Sequence, residues 1–147
     1  MTDTSMITLW HKRARPNPTE QHFDVQLGCH IEEFVEMLDA MEGADPLTRN
    51  RVAAARQMLA MLSDGLKDGT YEMEVTDRVG FLDSLCDQIV TSVGVAHCAG
   101  MNIDKGLDIV NSSNWSKFDE QGQPIFDANG KVKKGSRYTP PHLDECV

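Results

Sequence analysis

Aromatic side chains are scarce, at 6% of 147 residues. A core must therefore pack through Leu, Met, Ala and Val, the side chains of helices rather than of stacked rings. No uninterrupted apolar run approaches the roughly 18 residues that span a bilayer. Met1 to Trp10 has no basic segment leading into an apolar stretch, so it does not read as a signal peptide, and the expected location is the cytoplasm. Four cysteines are present, Cys29, Cys86, Cys98 and Cys146, and none forms a C-x-x-C pair. The adjacent pairs Cys29-His30 and His97-Cys98 lack the usual zinc-ligand spacing, so reduced thiols packed as small hydrophobes are expected. Positive charge is also in deficit. The net charge of −9 excludes a general binder of nucleic-acid polymers. A phosphate-bearing ligand stays open, because bound divalent cations invert a local field.

What is present is an ordinary globular balance, 40% hydrophobic and 25% charged. The length fits a single domain, 1–147. Residues 1–16 read as a short helix ended by Pro16. Asn17-Pro18-Thr19-Glu20 reads as a helix start, with Asn17 as the cap. The helix that follows runs to about Met41, with Phe23, Leu27, Ile31, Phe34, Leu38 and Met41 spaced by three and four as its core stripe. A third helix spans about Pro46 to Leu66 and a fourth about Glu74 to Gly100. A short fifth spans about Asp104 to Trp115, capped by Asp104. Residues 116–147 are rich in Gly and Pro and form a C-terminal arm. Asn129-Gly130 between Pro124-Ile125-Phe126 and Lys131-Val132-Lys133 signals a small β-hairpin there. The expected fold is all-α, a four- to five-helix bundle carrying this arm.

Two groups of carboxylates stand out. Glu32-Glu33-Phe34-Val35-Glu36 is E-E-x-x-E. Helical spacing puts Glu32 and Glu33 on one face with Glu36. These acids fall opposite the Phe23–Leu38 stripe, where a solvated acidic face is the simple alternative. The fourth helix is more informative. Between Val79 and Ile103 the only formally charged residues are Asp83 and Asp87, one turn apart. A helix apolar nearly all round is expected to be buried, inside the fold or at an interface. Buried carboxylates need a counter-charge, and no Lys or Arg lies between Val79 and Ile103 to pair them. A divalent cation shared by both helices answers this. Oxygen ligands suit Mg²⁺ or Mn²⁺, the metals of phosphate-chain hydrolysis. Glu33, Glu36, Asp83, Asp87 and Glu32 are the candidate ligands, two or more ions per site are expected, and Glu32 is the candidate base for the attacking water.

At these residues the chain resembles the all-α NTP pyrophosphohydrolase superfamily, the MazG-like and dimeric-dUTPase-like enzymes. E-E-x-x-E matches in full. The second motif, E-x-x-D, is matched at Asp87, with Ser84 where the family has a glutamate and Asp83 one residue earlier. Asn111 to Phe118 and Gly130 to Pro141 are similar to segments of the phage branch. The resemblance implies a single MazG-like domain that hydrolyses a (d)NTP to (d)NMP and pyrophosphate in nucleotide-pool control. It also implies Mg²⁺ or Mn²⁺, a homodimer or homotetramer, and the cytoplasm of a bacterial host. Catalytic roles fall to Glu32, Glu33, Glu36, Asp83 and Asp87. Lys117, Lys133 and Arg137 are candidate phosphate contacts, with Lys131 and Lys134 beside them in the basic arm; a solvated hairpin face is the alternative. Trp10, Asn17, Gln26, Asn114 and Tyr138 are candidate base or sugar contacts, a core role being the alternative for Trp10. The base is open, with a lean to (d)GTP and a dUTPase or dCTPase type as alternative. A non-enzymatic oligomeric helical adaptor, its acids facing a basic partner, is the competing class. A carboxylate-bridged di-iron protein lacks the Glu-x-x-His pairs it needs.

Overall fold

Helices begin where a side chain can take up the unpaired amides of the first turn. In the computed structural model, which describes residues 4–147, helix α1 is Ser5–Ala14. Helix α2 is Glu20–Asp39 and starts from Thr19, not the expected Asn17. The Thr19 hydroxyl accepts from the His22 amide at 3.3 Å, and the His22 ring accepts from the Thr19 amide at 3.1 Å. That reciprocal pair satisfies two amides at once, which decides against Asn17. Helix α3, Pro46–Asp68, is capped by Asp45 and ends at Gly69, whose φ of 81° suits glycine. Helix α4 is Arg78–Cys98, capped by Asp77. Helix α5 is Ile103–Trp115, capped by Asn102, which accepts from the Lys105 amide at 3.1 Å. The expected Asp104 cap is thereby corrected: Asp104 falls in the first turn, where its charge suits the helix dipole. A 3₁₀ turn, Asp144–Cys146, closes the chain.

The chain divides into two compact units. One comprises Asn17–Met73 and Phe126–Lys131; the other comprises Met1–Pro16, Glu74–Ile125 and Val132–Val147. The first is built on α2 packed against α3. Its buried positions are Asp24, Val25, Gly28 and Val35 from α2 with Ser63, Gly65 and Leu66 from α3. No member of the expected stripe is fully buried: Phe23, Leu27, Ile31 and Leu38 are half-buried, Phe34 is 37% exposed and Met41 64%. Small residues choose the contact instead. A Cβ on Gly28 would lie 2.9 Å from the Ser63 carbonyl oxygen, so only glycine permits this approach. The Ser63 hydroxyl donates to the Gly28 carbonyl at 2.9 Å across the same contact. Asp24 accepts from the Met73 amide at 3.0 Å and ties down the segment after α3.

In the second unit Trp10 stacks on Phe118, with centroids 5.6 Å apart, and Trp115 meets Phe118 edge-on. Ala14, Phe118 and Cys146 are buried. The Asn102 amide donates to the Cys146 carbonyl, seating the 3₁₀ turn by the start of α5.

Helix α4 departs from expectation, since none of its residues is buried. Val79 is 82% exposed, Leu82 62% and Val90 66%, and Asp83 and Asp87 are exposed too. An apolar sequence signals that a helix has a partner surface, not that its own chain supplies one. By length and composition α4 could also cross a membrane, although it carries two aspartates.

The hairpin is corrected as well. Its turn forms: Asp127 Oδ1 accepts the amides of Asn129 at 3.0 Å and Lys131 at 2.9 Å, and the Gly130 amide donates to the Asp127 carbonyl. No described residue lies in a strand, and Phe126 and Val132 are isolated bridge residues only. The Asp127 carboxylate takes up amides that strand pairing would otherwise satisfy.

Candidate functional site

The packing phase of α2 separates its three glutamates. Val25, Gly28 and Val35 set the face turned to α3, and Glu32 continues that row at helical spacing. Glu33 and Glu36 lie outside it and are exposed. The last turn of α3 brings up Lys67, whose Nζ lies 2.8 Å from Glu32 Oε1. The Asp127 turn brings up Lys131, whose Nζ lies 2.9 Å from Glu32 Oε2. Lys67 also reaches Asp64 at 3.3 Å. One carboxylate thus holds two ammonium groups, one on each oxygen. Its side chain is 29% exposed, that of Lys67 18% and that of Lys131 47%. An open depression of about 370 Å³ lies beside them, lined by both lysines, Val25, Asp64, Asp68, Asp127 and Asn129.

Charges within the cluster reinforce one another. Hydrogen bonds from Lys67 and then Lys131 hold the Glu32 carboxyl below its ordinary value, against the opposing effect of burial. Burial works against the charged form of Lys67, but its bonds to Glu32 and Asp64 outweigh this and raise it. Lys131 is raised in the same way by Glu32. Burial pushes the nearby Cys29 thiol up, with Lys131 opposing. A thiol held protonated is a poor nucleophile.

This geometry bears on the expected metal ligands. Glu33 and Glu36 sit one turn apart and present oxygen donors that suit Mg²⁺ or Mn²⁺. Glu32 does not fit that role here, since both its oxygens are engaged by ammonium groups. For Glu32 to act as the expected base, the two ammonium groups would have to release it. Among the described residues no group of three or more His, Cys, Asp or Glu converges as a metal site. Asp83 and Asp87 belong to α4 in the other unit.

Comparison with protein-family models, curated proteins and solved structures gives no match. The family resemblance therefore rests on the motif residues alone.

The remaining sequence candidates scatter. Gln26 and Asn17 are exposed in the α2–α3 unit. Trp10 is committed to packing: its indole N–H donates to the Asn114 carbonyl at 2.9 Å. Lys117 follows α5 and is half-buried. Arg137 donates to the Asp119 carbonyl at 3.2 Å, Lys134 lies 4.7 Å over the Tyr138 ring, and Lys133 is exposed. Sequence reasoning missed Lys67 altogether. Its only signal is that Gly28 and Ser63 are small, which brings the ends of α2 and α3 close enough for a side chain to bridge them.

Proposed function

We propose that this chain is a metal-dependent nucleoside triphosphate pyrophosphohydrolase of MazG-like type, cleaving a (d)NTP to (d)NMP and pyrophosphate in the cytoplasm. The observation that carries the reading is E-E-x-x-E on α2, with Glu33 and Glu36 exposed and one turn apart. The carboxylates assigned to Mg²⁺ or Mn²⁺ are Glu33, Glu36, Asp83 and Asp87. The bound cation would offset polyphosphate charge and supply an activated water. Lys117, Lys133 and Arg137 are the candidates to hold the phosphate chain. Base contacts are assigned to Gln26, Asn114, Asn17, Tyr138 and Trp10, with a slight lean to (d)GTP and a dUTPase- or dCTPase-type enzyme as the alternative. A panel of common and modified (d)NTPs, assayed for released pyrophosphate, tests this. Release of single orthophosphates instead would make the protein a phosphatase.

The chain is proposed to act as a homodimer or homotetramer. The bare apolar surface of α4 supports this, since exposed contiguous apolar area marks an interaction surface. The same surface favours a second reading, a non-enzymatic helical adaptor. A rise in melting temperature with Mn²⁺ plus a non-hydrolysable nucleotide rules out the adaptor.

A further inference from the structure

We propose that α4 pairs in parallel with α4 of a second copy of this chain, through a heptad seam of Val79, Leu82, Cys86, Ile89 and Val93. These five are spaced three, four, three and four residues apart, the repeat that keeps one stripe of a helix facing a partner helix. All five are exposed, Ile89 at 56% and Val93 at 45%. The side that α4 turns to its own unit is a different one, marked by half-buried Phe81, Leu85, Gln88 and Ala96. At helical spacing the seam lies roughly 100° round from that side, and its own unit leaves it bare.

The residues in and beside the seam say what covers it. Val79 and Val93 at one seam position, with Leu82 and Ile89 at the other, suit a two-stranded pair. Arg78 comes just before Val79 and Asp83 just after Leu82, the two flanking positions that meet across a parallel pair. Each copy then offers its Arg78 to the other's Asp83, twice by symmetry. Both residues are exposed. Antiparallel pairing sets like flanks together and keeps Arg78 from Asp83. A bilayer is the poorer occupant, since it would have to take in Asp83 and Asp87. The exposed seam of two copies amounts to about 1,000 Å², the size at which a specific interface begins, so a concentration-dependent dimer is expected. Pairing engages Asp83 at the seam and leaves Asp87 outside it, available to a cation.

The inference rests on the self-association proposed above and names its face, partner and direction; it does not depend on the hydrolase reading. Sedimentation equilibrium of the full chain over a range of concentrations tests it. Wild type is expected to pass from monomer to dimer as concentration rises. Ile89→Lys puts an unpaired charge into the seam of each copy and is expected to weaken association at least about tenfold. Val95→Lys, 64% exposed but off the seam, is expected to match wild type. Arg78→Glu is expected to weaken association and Arg78→Glu with Asp83→Arg to restore it; glutamate suits the first turn of a helix, so that loss is not one of folding. Oxidation with diamide reads the direction. A parallel seam sets Cys86 against Cys86, so a disulfide-linked dimer is expected that Cys86→Ser abolishes and Cys98→Ser does not. Equal loss in Ile89→Lys and Val95→Lys, or no dimer linked through Cys86, overturns the proposal. A dimer indifferent to Ile89→Lys overturns the seam but leaves self-association standing, whereas a monomer at every concentration overturns both. Pyrophosphate release is scored separately, and its absence beside the expected results sinks the hydrolase reading alone.

Discussion

Replacing Gly28 by alanine adds one methyl group at the tightest point between α2 and α3. The new Cβ would lie 2.8 Å from Lys67 Cγ, 2.9 Å from the Ser63 carbonyl oxygen and 3.2 Å from Leu66 Cβ. The lysine stem can swing aside. The Ser63 oxygen cannot, because it belongs to the backbone of α3. The helices must then part by several tenths of an ångström, stretching the buried Ser63–Gly28 hydrogen bond. Overpacking of this kind costs about 1–3 kcal/mol, and a weakened hydrogen bond about 1 kcal/mol. Alanine returns about 1 kcal/mol through helix propensity. The net loss is about 1–3 kcal/mol, a fall in melting temperature of roughly 3–10 °C for a chain of this size. Thermal unfolding followed by circular dichroism measures it. Combining Gly28→Ala with Lys67→Ala should recover little, since the backbone oxygen stays. A variant as stable as wild type would refute the idea that small residues set this contact.

Further expectations concern charge, chemistry and assembly. Glu32 has a depressed carboxyl, so the stability it adds is present above 4.5, its ordinary value, and is lost as pH falls through its lower folded value. Acid titration of stability should therefore be shallower in Glu32→Gln; identical curves would remove the ion pairs from the account. Glu36→Ala and Asp87→Ala should each abolish pyrophosphate release while leaving the melting temperature unchanged, and residual turnover near wild type would discard the carboxylate assignment. Val90→Lys places a charge on the bare face of α4 and should shift light-scattering mass toward the monomer; an unchanged mass moves the interface elsewhere. Asp24→Ala removes the buried carboxylate that holds the exposed Met73 segment at 3.0 Å and should cost about 1 kcal/mol in chemical unfolding, the net worth of one hydrogen bond.

The helices were legible in the sequence because Pro, Gly and short polar side chains punctuate them. Pro46 and Gly69 bound α3 as their chemistry dictates, whereas α4 starts at Arg78 behind an Asp77 cap and not at the expected Glu74. The caps at Thr19 and Asn102 were missed because two adjacent candidates competed, and reciprocal bonding or side-chain reach decided between them. The packed face of α2 was misread for a deeper reason. Large apolar residues at Phe23, Leu27 and Phe34 dominate any periodicity, whereas contact with α3 follows Gly28 and Ser63, which carry little hydrophobic signal. Asp83 and Asp87 were expected inside the fold or at an interface, and within this chain α4 leaves them open. Of the site, the glutamate motif was plain; the lysines that meet Glu32 were not, because no spacing rule joins positions 32, 67 and 131.

The Gly28–Ser63 contact fixes the angular phase of α2 as well as its distance from α3. Neighbouring residues on a helix point about 100° apart, so Glu32 and Glu33 cannot share a destination. One turns toward the lysines and the other toward solvent. A single residue inserted between Gly28 and Glu32 would rotate the motif past its neighbours, sending the carboxylate now at Glu32 outward. The composition would be intact and the lysine pair would lose its anchor. E-E-x-x-E in this chain is thus a statement about rotation, and Gly28 is the index mark from which it is read.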